Sequence, residues 1–103
     1  MTINLALEYI PKRMQELGYG KAYSIRFRHL VLQGAELLRI ESYNQILLLT
    51  EEAQDITVSS ELGVFDLSAQ NINEQIYEHQ GLVRIINLSP SVRHVRFIQV
   101  IPN

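Results

Sequence analysis

Cysteine and tryptophan are absent from this chain, and proline and glycine are scarce, at three and five residues. Without cysteine there can be no disulfide, no thiolate metal site and no cysteine nucleophile, and the absence fits a reducing compartment. The five glycines stand at 18, 20, 34, 63 and 81. Gly18-Tyr19-Gly20 leads into a strand pattern rather than a helix, so no phosphate-cradling loop is formed. No apolar run approaches the roughly 18 residues of a membrane span. The opening MTINLALEYIPKRM lacks a basic stretch ahead of its apolar residues, so a secretory leader is not expected. These absences point to a soluble cytoplasmic protein, with no membrane partner and no cofactor, metal or small-molecule ligand.

What is present is enough for a core. The apolar fraction of 47% is far above that of a disordered chain, and 103 residues suit one domain. We therefore expect a single domain over residues 1–103, with a helix over 1–19 and a β-rich body over 22–101. Charge is distributed unevenly: residues 1–35 carry a net +3, residues 36–78 a net −8 and residues 79–103 a net +3. This basic–acidic–basic order lets the chain ends pack near the acidic middle. It also suits a molecule with faces of opposite sign that associates head to tail.

Ile3, Leu7, Ile10, Met14 and Leu17 recur at spacings of four and three, which predicts an amphipathic helix. Thr2 is its expected cap and Gly18 its stop, and Pro11 either kinks it or opens a second helix. The polar face lacks the basic excess of a membrane-surface helix, so the stripe is expected to pack on the domain. After Gly20 the period becomes two, with Tyr23, Ile25, Phe27, His29 and Val31 alternating with Ser24, Arg26, Arg28 and Leu30. Further strands are expected over 36–43, Ile46–Leu49, Ile56–Ser59, Val64–Leu67, Leu82–Leu88 and Val92–Ile101. Gln33-Gly34, Asn44-Gln45, residues 60–63 and Ser89-Pro90-Ser91 separate them. Strands joined this briefly pair antiparallel. The expected fold is α+β and mainly antiparallel, a small β-sandwich or open barrel of six to eight short strands covered by the N-terminal helix.

The imidazoles His29, His79 and His94 match no metal motif, and by strand parity His29 lies with Phe27 while His94 lies with Arg96. The fragments IRFRH and VRHVRF interleave arginines with aromatics, as a nucleic-acid-binding sheet does, which makes Arg26, Arg28, Arg93 and Arg96 a candidate interaction surface. Parity places the phenylalanines opposite Arg26, Arg28 and Arg96, which suggests core aromatics and solvent arginines. With a pI near 5.9, a nucleic-acid role for these arginines ranks as the alternative. No serine or threonine lies in a recognised nucleophile frame, so an enzyme of unrecognised type is a further alternative.

The run NEQIYEHQG at 73–81 places carboxylates, Tyr77 and His79 beside a glycine. It reads as a bend, either a helix stopped by Gly81 or a hairpin turning across 79–81, with the extended form preferred and His79 near the surface. Its histidine has no matching ligand and its acids no neighbouring nucleophile. The sequence therefore favours a structural or protein-interaction module that self-associates as a homo-oligomer through a sheet edge or face. A small phage-type virion or assembly protein is one context that fits.

Overall fold

The computed structural model describes residues 3–50, 53–67 and 78–103. Thr2, expected to cap the helix, and the first part of the NEQIYEHQG run lie outside those residues. Among the described residues there are one helix, α1 (Ile3–Glu16), and six strands: β1 (Tyr23–Leu32), β2 (Leu37–Leu49), β3 (Ile56–Ser60), β4 (Gly63–Asp66), β5 (His79–Asn87) and β6 (Arg93–Pro102). The strands make a single open sheet in the order β1-β6-β2-β5-β3-β4, and every pairing is antiparallel. This is the α+β, mainly antiparallel architecture that the strand density implies.

Helix α1 buries Ala6, Ile10 and Met14, one residue per turn at spacing four. They rest on Ile46 and Leu48 of β2 and on Ile98 and Val100 of β6, with Tyr23 and Ile25 of β1 packed alongside. Two of the five residues in the expected stripe, Ile10 and Met14, are core, whereas Ile3, Leu7 and Leu17 stay exposed. The contact line runs through the small Ala6. Pro11 neither ends nor splits the helix. It is exposed, so the carbonyl that its ring deprives of a partner lies on the side open to water. Gly18 ends the element at φ 89°, its N–H bonding the Gln15 carbonyl while Tyr19 N–H bonds that of Met14. That double bond around a left-handed glycine is a Schellman cap.

The face of the sheet away from α1 curls on itself. Leu32 of β1, Val95 and Phe97 of β6 and Leu47 and Leu49 of β2 share one core with Val83 and Ile85 of β5 and Ile56 and Val58 of β3. Strand β2 makes this curl, because its first half pairs with β5 and its second with β6. Residues 36–43 and 46–49 were expected as two strands broken at Asn44-Gln45. They are one strand with an irregular register between Ser42 and Leu47, where Asn44 takes φ 60°. Asparagine tolerates that left-handed conformation, so the site bends the strand instead of ending it. Ile46–Leu49 is sandwiched between the helix and the second core, so every residue of the run is buried and its apolar character is unbroken rather than alternating.

Candidate functional site

The four arginines singled out from the sequence do not gather in one place. Arg26 and Arg28 stand opposite Gln99 and Phe97 in the β1–β6 ladder. Arg28 donates to Gln99 Oε1 at 3.0 Å, and its guanidinium lies 5.9 Å from the centre of the Phe97 ring. Arg93 projects on the same face at the far end, where it donates to Asp55 Oδ2 at 3.1 Å. Arg96 projects on the opposite face, directly across from His29. The expectation of core phenylalanines holds for Phe97, which is 1% exposed, and fails for Phe27, which is 63% exposed. Tyr23 and Ile25 share Phe27's side of β1 and pack in the core that α1 caps; Phe27, farther along, stays outside it.

The edge position of β1 matters for association. It is the first strand in the sheet order, and among the described residues its ladder of ten register pairs runs to β6 alone. The other side of a ten-residue strand thus offers backbone N–H and C=O groups to an incoming strand. Arg26 and Arg28 decorate one face of this edge, and the exposed Phe27 and Val31 the other.

Parity places His29 with Phe27 and His94 with Arg96 on their own strands, and the β1–β6 register brings all four onto one face. His29 Nε2 lies 2.8 Å from His94 Nδ1, and the ring centroids are 5.0 Å apart with the planes inclined by 36°. Both rings are exposed. Beside them Ile3, Phe27, His29 and Arg96 help line a depression of about 250 Å³. The signal that finds this pair is register, which no local pattern in the sequence carries.

The end of the NEQIYEHQG run has a different fate from the one expected. His79 opens β5 and is 1% exposed, so the surface histidine anticipated there is buried instead. Its Nδ1 lies 2.7 Å from Ser60 Oγ, and its ring meets Phe65 edge-on at a centroid distance of 5.4 Å. Burial depresses its pKa to about 4, which keeps the imidazole neutral at pH 7. Gly81 does take a positive φ, of 75°, but inside β5 opposite Ser42 and not in a hairpin loop. A Cβ there would meet Glu61 Oε1 at 2.6 Å, so the glycine also admits the β3–β4 turn.

Glu78, one residue before β5, is tied back to the helix: Tyr9 Oη donates to its Oε1, and Arg13 Nε donates to the same oxygen at 2.5 Å. Burial pushes the Glu78 carboxyl above its ordinary range, although the guanidinium beside it acts in the opposite sense. These residues, with Glu16, Glu61, Leu62 and Gln80, line an open groove of about 590 Å³ between α1 and the β3–β4 turn.

The Ser60–His79 pair has the composition of a nucleophile and base, but its environment suits a structural joint. A base with a pKa near 4 has little driving force to take a serine proton. The Ser60 hydroxyl also accepts the Leu62 N–H at 3.2 Å, which fixes the turn. Neither residue lines the groove. Among the described residues no group of three or more His, Asp or Glu side chains gathers as a metal cluster, and no helix is long and apolar enough to cross a membrane. The fold and surface thus define a helix-capped antiparallel sheet with a basic open edge. No family model, curated protein or solved structure matches the chain.

Proposed function

We propose that this chain is a non-enzymatic interaction module that self-associates head to tail, with the β1 edge of one copy meeting the acidic part of the next. The observation that carries the reading is the ten-residue basic edge strand in a chain whose residues 36–78 hold a net −8. Strand addition supplies main-chain hydrogen bonds, and Phe27 and Val31 supply apolar area at the same edge. A two-fold pairing of β1 with its own copy about residues 26–28 would set arginine against arginine, which is unfavourable. A heterologous contact avoids that clash and builds rings where its rotation closes and filaments where it does not. Repeating assemblies of the phage-virion kind are a setting where such a contact serves.

Size-exclusion chromatography with light scattering, across protein concentration and salt, tests the proposal. The expected mass rises with concentration and falls as salt screens the charges. A strict monomer at high concentration and low salt overturns it.

A further inference from the structure

The His29–His94 pair lies on the α1 side of β1 and β6, on the face that carries Phe27 and Val31 and opposite the one that carries Arg26 and Arg28. We infer that these two imidazoles form a bidentate site for a divalent transition-metal ion of the Cu²⁺ or Ni²⁺ type. The two ring nitrogens face each other from adjacent strands whose spacing is fixed by a continuous ladder over residues 23–32 and 93–102. A two-ligand chelate therefore already has its backbone in place, and only side-chain torsions remain to be set.

The separation of the nitrogens bears on which ion fits. Nitrogens 2.8 Å apart, each about 2.0–2.1 Å from a common ion, subtend about 85° at it. That is close to the cis angle of about 90° in tetragonal Cu²⁺ and Ni²⁺ complexes. A tetrahedral zinc needs its nitrogens about 3.3 Å apart, which requires the rings to separate. In the present arrangement the two nitrogens share a hydrogen bond, so one ring carries its proton on the facing nitrogen. To bind an ion, that ring moves the proton to its other nitrogen, and both rings turn until their lone pairs converge to one side. The change is tautomeric, with no net loss of a proton. Both rings are exposed, which leaves them room to turn.

Two protein ligands leave the other coordination positions to water. Arg96, directly across from His29, disfavours a second positive charge nearby. Both features make this an exchangeable surface site and not a structural centre. Buried His79 takes no part, because its Nδ1 already faces Ser60 inside the fold.

The full chain titrated with CuCl₂, in the presence of glycine as a weak competing chelator, tests the inference by electron paramagnetic resonance and calorimetry. The expected result is one ion per chain, with an axial spectrum showing coupling to two imidazole nitrogens. His29→Asn and His94→Asn, both on exposed positions, should each weaken binding by at least about tenfold, as loss of a direct ligand costs no less than loss of a supporting one. Their thermal transitions should stay where the parent's is. Absence of saturable uptake, a spectrum with a single nitrogen, or equal uptake by the H29N/H94N double variant overturns the assignment.

Discussion

Gly34 and Pro90 meet backbone to backbone: a Cβ built on Gly34 would lie 2.3 Å from the Pro90 carbonyl oxygen. The turn between β1 and β2 is thereby pressed onto the turn between β5 and β6, and Ala35 N–H bonds the Ser89 carbonyl at 2.9 Å beside it. No rotamer relieves a backbone clash. Gly34→Ala should therefore cost about 2–4 kcal/mol, read as a lower urea midpoint at unchanged slope. The next residue gives the opposite expectation. Ala35 holds φ 60°, so Ala35→Gly relieves strain and should be neutral or stabilising by up to about 1 kcal/mol.

Asn87 joins the same two turns from the inside. Fully buried, it directs Nδ2 at the carbonyls of Leu32, Gln33 and Ser91, at 3.3, 2.9 and 2.7 Å, and its Oδ1 accepts the Ser89 N–H at 3.0 Å. Asn87→Leu keeps the number and branching of the side-chain atoms, with bulkier methyl groups, but leaves buried carbonyls unpaired. A loss of about 2–4 kcal/mol is expected from chemical denaturation. Asn87→Asp should be at least as damaging, because it points an acceptor at acceptors.

These two residues mark the limit of what the sequence discloses. The helix, the turns at 33–34, 60–63 and 89–91 and the antiparallel strands follow from local spacing, because periodicity and turn chemistry act over a few residues. What local spacing omits is which strands are neighbours. The pairing of β1 with β6 spans the whole chain, and from it follow the edge position of β1, the His29–His94 pair and the stacking of Arg28 over Phe97. Asn87 carries no signal because an asparagine near the end of a strand, just ahead of Ser89-Pro90-Ser91, reads as an ordinary residue leading into a turn. His79 misled because a polar run beside a glycine resembles a loop, whereas Gly81 lies within a strand whose start is covered by Phe65 and Ser60.

Burial of neutral His79 makes stability depend on pH with a definite sign. Its pKa is about 4 in the fold against 6.5 when free, so the unfolded chain binds more protons between those values. The contribution is fully present above pH 6.5 and is lost as pH falls towards 4, amounting to about 3 kcal/mol. Glu78 acts oppositely, since a carboxyl with a raised pKa favours the fold at lower pH. Comparing urea stability of the parent with His79→Gln cancels the Glu78 effect. The variant should be less stable at pH 7, and the gap should close as pH falls through this window. A gap independent of pH would refute the neutral buried imidazole.

Strand β6 is bonded on both sides, to β1 along its length and to β2 at Phe97–Val100, and it supplies Val95, Phe97, Ile98 and Val100 to the two cores. Deleting residues 94–103 therefore removes the strand that joins the helix-covered core to the second one. The truncated chain should show no cooperative thermal transition by circular dichroism. A transition with the parent's steepness would mean that the remaining strands fold without it.

Reversing charge at the β1 edge separates head-to-tail association from other kinds of contact. Arg26 and Arg28 are exposed, but Arg28 also bonds Gln99 and lies over Phe97, so its substitution should cost about 1 kcal/mol of stability and association is compared where every variant is fully folded. If the edge meets the acidic part of a neighbouring copy, Arg26→Glu with Arg28→Glu sets like charges together. The association constant at low salt should then fall by at least about tenfold, equivalent to about 1.4 kcal/mol. The salt dependence should flatten too, because the screened attraction has been removed. Phe27→Ser provides the apolar counterpart, weakening association at every salt concentration without changing its salt slope. A two-fold β1–β1′ contact predicts the contrary for the single Arg28→Glu variant: placing glutamate opposite arginine across the axis would strengthen association. Sedimentation of the three variants at two salt concentrations discriminates between the two geometries.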